Sequence, residues 1–77
     1  MHLEIYSPAK ILFKGEASEV LIPSVNGEVG ILPQHARYIT LLGEGRLVVS
    51  GQSPQELMVK SGLASVENDK IRILVDE

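Results

Sequence analysis

Hydrophobic and polar residues alternate along most of this chain with a period of two, the pattern of strands that bury one face. Leu3 and Ile5 alternate with His2, Glu4 and Tyr6, and Ser7-Pro8 closes that run. Ile11 and Phe13 are expected to face one way and Lys10, Leu12 and Lys14 the other, until Gly15 breaks the run. Glu16 to Pro23 reads as the next strand, with Ala17, Val20 and Ile22 in the core. The spacing of Ala17 and Val20 calls for a bulge or slip, and Leu21 then points outward as the edge of an interface.

The stretch from Val25 to Tyr38 is more particular. Asn26-Gly27 suits a tight two-residue turn of type I′, whose central residues both need positive φ. Val29-Gly30-Ile31-Leu32 is a short apolar run that Pro33 must end, because proline brings no N–H to a sheet and steers Leu32 away from helical geometry. Gln34-His35 forms a polar shoulder. Ala36 to Leu42 is apolar on both faces, through Tyr38, Ile39, Leu41 and Leu42, as for a strand covered on two sides by its own fold or by a partner.

Gly43-Glu44-Gly45 reads as a turn, Leu47 and Val49 point inward from the strand after it, and Gly51 to Pro54 turns the chain again. Ser53-Pro54-Gln55-Glu56 has the form of a helix start, yet only Leu57 to Lys60 follow before Ser61-Gly62, so Glu56 to Ser61 is expected as a strand. Leu63 to Glu67 and Ile71 to Val75 flank Asn68-Asp69 as a final hairpin, with Ile71, Ile73 and Val75 set against Lys70, Arg72 and Leu74. Turn signals at intervals of about 8–12 residues, without helical periodicity, predict an all-β fold, an antiparallel two-sheet sandwich of about 8–10 short strands.

Size and composition narrow the function classes. The 77 residues are expected to form one domain, 1–77. With no cysteine there is neither a disulfide nor a thiolate metal site, which fits a reducing compartment. A net charge of −3, with 7 Lys and Arg spread thinly, argues against nucleic acid, which needs a clustered basic face. One Phe, two Tyr and no Trp give no platform for stacking bases. Apolar runs are far shorter than the roughly 20 residues that span a bilayer, and the start of the chain lacks the signal-peptide pattern. Work at a membrane would need another component to hold the chain there.

Candidate chemistry is sparse. His2 and His35 are the only histidines; Glu28 and Glu44 are the candidate further ligands, but no H-x-H or H-E-x-x-H spacing is present, so no metal site is expected. No nucleophile-and-base grouping is recognisable, and no catalytic residue is assigned. Gly43-Glu44-Gly45 leads into a strand and lacks the rest of a dinucleotide fingerprint, so no cofactor is expected. Glu28, beside the Asn-Gly turn, reads on its own as a solvated surface charge.

Taken together, Ser7-Pro8, Leu12-Phe13-Lys14-Gly15-Glu16, Val20-Leu21-Ile22-Pro23, Asn26 to Ala36 with its Gly-Ile-Leu-Pro-Gln-His-Ala core, Thr40-Leu41-Leu42, Gly45 and Ser61-Gly62-Leu63 closely resemble the N-terminal domain of the epsilon subunit of rotary ATP synthases. The resemblance runs nearly end to end. It implies a flattened β-sandwich in the central stalk, a non-catalytic rotor part that joins the gamma subunit to the c-subunit ring and helps couple proton flow to ATP synthesis. It matches Gly27 and Glu28 to the loop that meets the c ring, and Ser7, His35, Ala36, Arg37 and Tyr38 to the side that faces gamma. It also implies a peripheral location, on the cytoplasmic face of an energy-coupling membrane or the stromal or matrix face of an organelle, with membrane contact only through the complex.

Two departures stand out. Ser61-Gly62 replaces a common Gly-Gly, a local change. The C-terminal helical hairpin of full-length relatives is absent, so neither inhibition of ATP hydrolysis nor ATP binding is expected of this chain. The alternative class is a free-standing β-sandwich that binds a ligand or serves as another adaptor, which predicts an apolar cleft with converging polar groups.

Overall fold

The computed structural model describes residues 1–34 and 36–76. Among them run nine strands and no helix: β1 (His2–Tyr6), β2 (Ile11–Glu16), β3 (Glu19–Ser24), β4 (Gly27–Ile31), β5 (Tyr38–Leu42), β6 (Gly45–Ser50), β7 (Gln55–Val59), β8 (Ser61–Glu67) and β9 (Lys70–Asp76). The sheet is continuous in the order β2-β1-β9-β8-β5-β3-β6-β7, with β4 on the far side of β3. It curls into two halves, β2-β1-β9-β8-β5 and β4-β3-β6-β7. Between them Leu3, Ile5, Ile71, Ile73 and Val66 of the first half share one core with Val20, Ile22, Ile31, Leu47 and Val49 of the second. The body is flat, 26 × 25 × 17 Å.

The expected alternation holds in β1, β6 and β9, whose inward residues are all buried. Ser53 to Ser61 carries no helix, and Gln55–Val59 is a strand. The expected all-antiparallel pairing has one exception: β1 lies parallel to β9, with Leu3 opposite Ile71 and Ile5 opposite Ile73. Both bury alternate residues toward the same core, which parallel pairing serves as well as antiparallel.

Ile11 and Phe13 do not share a face. Ile5 pairs with Phe13, but Tyr6 pairs with Ile11, so Leu12 is an extra residue in β2. This bulge keeps Phe13 in the core and turns Ile11 outward, 55% exposed. Ala17 needs no bulge, because β2 ends at Glu16 and Ala17-Ser18 crosses between the halves. There the Ala17 N–H donates to the Met1 carbonyl at 2.9 Å and the Ser18 N–H to the Ser50 carbonyl at 2.8 Å.

The Gly43-Glu44-Gly45 segment does not reverse the chain. Both β5 and β6 run antiparallel to β3, so the chain continues in one direction and passes from one half to the other. The register against β3 shifts across this corner, from Ser24 opposite Leu42 to Leu21 opposite Val48. Glycine is required at Gly45 by proximity, since a Cβ there would stand 2.8 Å from the Cβ of Pro23.

The two expected hairpins also differ. At the β3–β4 reversal Ser24 pairs with Gly27, so the turn residues are Val25 and Asn26, one position earlier than expected. Only Gly27 has positive φ, 120°, and the Asn26 N–H donates to Ser24 Oγ at 3.0 Å. At the β8–β9 reversal Asn68 and Asp69 both have positive φ, 49° and 63°, the pattern of a type I′ turn.

Candidate functional site

Two surfaces carry what the sequence singles out. The first is the tip of the β3–β4 hairpin. Gly27 and Glu28 open β4 and are exposed, with Glu28 opposite Pro23 in register and Val25, 57% exposed, at the apex. The Glu44 corner lies close by, because the Val25 N–H donates to the Leu41 carbonyl at 3.0 Å and the Gly43 N–H to the Pro23 carbonyl at 2.7 Å. The tip thus presents an apolar side chain and carboxylates in open solvent.

The second surface is the outer face of β5-β8-β9-β1-β2. In register across these strands stand Leu41, Leu63, Leu74, Tyr6 and Ile11, one residue from each. The four aliphatic members are 39–60% exposed and Tyr6 is half-buried. Four inter-strand steps make this apolar row about 19 Å long. Ile39, 66% exposed, adjoins it one row along. The expected doubly apolar strand is therefore present: Leu42 faces the core with buried Thr40 and half-buried Tyr38, while Ile39 and Leu41 face out.

Beside the row lies a polar cluster centred on Glu4. Its carboxylate accepts from Tyr6 Oη at 2.6 Å, lies 3.0 Å from His2 Nε2 and has Arg72 Nε at 3.5 Å. The Tyr6 hydroxyl, then His2, hold the Glu4 carboxyl below its ordinary range, and the same bond to Glu4 pushes the Tyr6 hydroxyl up. The cluster fixes Tyr6 at the edge of the row and leaves the Arg72 side chain 67% exposed beside it.

The residues matched to a gamma-facing side do not form one patch. Ser7 continues the strand that supplies Tyr6, but it is buried and its hydroxyl is used locally, accepting from the Lys10 N–H at 3.2 Å. Ala36 and Arg37 are exposed ahead of β5, where the Arg37 guanidinium pairs with the Glu67 carboxylate. Three inter-strand steps and five residues along the strands separate Arg37 from Ser7, about 22 Å. Tyr38 packs against the core, and His35 lies outside the described residues. Tyr6, Ile11, Leu41, Leu63 and Leu74 were not singled out as a set, because only register aligns them. The available signal was that Leu63 and Leu74 alternate with the core residues Ala64 and Ile73. Among the described residues no group of three or more His, Asp or Glu is arranged to hold a metal ion.

A family model described as "ATP synthase, Delta/Epsilon chain, beta-sandwich domain" matches residues 1–77. The chain is 39% identical over 77 residues to the ATP synthase epsilon chain of Gloeothece citriformis, covering 99% of this chain and 56% of that one. It is 38% identical over 79 residues to the epsilon chain of Neisseria meningitidis, covering 99% and 56%. It is 36% identical over 77 residues to that of Leptospira interrogans, covering 99% and 61%. The chain thus spans little more than half the length of these relatives. Its fold is that of a chain in the Tetrahymena thermophila mitochondrial ATP synthase central stalk and c-ring, with a TM-score of 0.88 at 15% identity over 100% of this chain and 63% of that one. A chain of the Euglena gracilis mitochondrial ATP synthase gives a TM-score of 0.87 at 22% identity, covering 95% and 48%. The nine-strand body with its outward apolar row belongs to the ATP synthase delta/epsilon chain β-sandwich domain family.

Proposed function

We propose that this chain is a non-catalytic rotor part of a rotary ATP synthase, joining the gamma subunit to the c-subunit ring. The apolar row from Leu41 to Ile11 carries the reading. Five aligned apolar side chains facing water are costly for a small soluble body and gain their apolar burial only under a partner. In a delta/epsilon-type sandwich the fitting partner is gamma, with Arg37 and Ala36 at the far margin of that contact. Gly27 and Glu28, exposed at the hairpin tip, suit a contact with basic loops of the c ring.

Coupling here is mechanical. Proton flow turns the ring, and this chain and gamma turn with it as one body. The chain sits on the cytoplasmic face of the energy-coupling membrane, or the equivalent organellar face, and touches lipid only through the complex. Mixing the chain with separately expressed gamma should give a one-to-one complex on size-exclusion chromatography. Failure to associate would remove this reading, as would normal ATP synthesis by an enzyme reconstituted without the chain.

A further inference from the structure

We infer that the element covering the apolar row is a single amphipathic helix of the partner subunit, laid across the five strands and acidic along one flank. This rests on the reading of that face as the docking surface. The row is only one side chain wide. On one side the next row in register reads Ile39, Ser65, Arg72, Glu4 and Lys14, mostly polar. On the other side the strands end at Ser61, Asp76 and the Ser7-Pro8 turn. A second sheet packing face to face needs several apolar rows, whereas a helix about 10 Å across needs one stripe.

The spacing points the same way. Neighbouring strands lie about 4.8 Å apart and a helix rises about 1.5 Å per residue, so each strand is met roughly 3.2 residues further along the helix. Steps of three and four are those that keep apolar side chains on one helical face. An extended segment along the same line would advance only about 1.4 residues per strand and turn every second side chain away from the row. Charge supplies the polarity of the flank. Lys14 and Arg72 are exposed on the polar side, and the Glu4 carboxylate between them is shared by Tyr6, His2 and Arg72. Two cations against one carboxylate leave net positive charge beside the stripe, which favours acidic residues on the helix edge that meets it.

The test places a photo-cross-linking amino acid in turn at Ile11, Tyr6, Leu74, Leu63 and Leu41 of the full chain, bound to purified gamma. The cross-linked gamma residues are then mapped by mass spectrometry. The expected result is a single gamma segment whose contacts advance by three or four residues per strand, about 13 across the row. Contacts that advance by one or two residues, or that scatter over several segments, overturn the helix. A complex that forms without cross-links from any of the five positions removes the docking reading itself. In the same complex Lys14→Glu should weaken binding about fivefold and reduce its salt dependence. Unchanged affinity and unchanged salt dependence overturn the acidic flank.

Discussion

The two halves of the sheet expose apolar residues in different ways. On β2-β1-β9-β8-β5 they line up, one per strand, into a row that crosses the whole half. On β4-β3-β6-β7 the comparable line runs from Gly30 through Leu21 and Val48 to Glu56. Glycine empties one end of it, a carboxylate paired with Arg46 at 3.5 Å closes the other, and Leu21 and Val48 between them are half-buried. Met58 is the most exposed large apolar residue of the chain at 73%, yet it stands outside that line. Scattered apolar exposure is ordinary on a soluble protein, and register is what turns exposure into a surface.

The sharpest way to break this contrast is a matched pair of substitutions. Leu74→Asp, at the centre of the row, should weaken binding to gamma by about 30-fold or more, on the order of 2 kcal/mol, as for a central interface residue. Met58→Asp should change it by no more than about 0.5 kcal/mol. Calorimetric titration against gamma measures both, and equal losses would erase the distinction. The corner joining the halves comes next: Gly45→Ala forces a methyl against Pro23 and should cost about 1–3 kcal/mol in denaturant unfolding.

Turn geometry gives a smaller effect. Asn68→Ala keeps a left-handed residue without its side-chain compensation and should cost about 1 kcal/mol. Asn26→Ala, outside that region, should stay within about 0.5 kcal/mol.

The Glu4 cluster gives the smallest effect. Its carboxyl is lowered in the folded chain, so the unfolded chain takes up the proton first as pH falls. Its contribution is therefore full above the ordinary glutamate range and is lost as pH falls through the lowered folded value. Glu4→Gln should flatten that part of the stability profile, as read by unfolding midpoints between neutral and acidic pH.

These outcomes depend on features of unequal legibility. The alternation of Leu3 with Ile5, of Leu47 with Val49 and of Ile71 with Ile73 and Val75 was enough to read strands and core, because period-two burial is local. The outward Ile39 and Leu41 were visible for the same reason. Ile11 was assigned to the wrong face because the bulge at Leu12 exists only against β1. The Gly43-Glu44-Gly45 corner was read as a turn, and whether such a glycine pair reverses the chain or only bends it is told by pairing to β3. Asn26-Gly27 and Asn68-Asp69 were both hairpin signals, but which one adopts the left-handed pair depends on register: Glu67 opposite Lys70 puts Asn68 and Asp69 at the centre of their turn, whereas Ser24 opposite Gly27 puts Gly27 in the strand. The row draws on residues 6, 11, 41, 63 and 74, and no local pattern could have gathered them.

The corner between β5 and β6 also bears on how this small body takes load. Leu41 presents its side chain to the outer row while its carbonyl accepts from Val25 at the hairpin apex, and Gly43 ties back to Pro23. One uninterrupted length of backbone therefore belongs to both surfaces. A twist applied at either would be carried to the other through covalent bonds and paired amides, rather than through side chains sliding over one another.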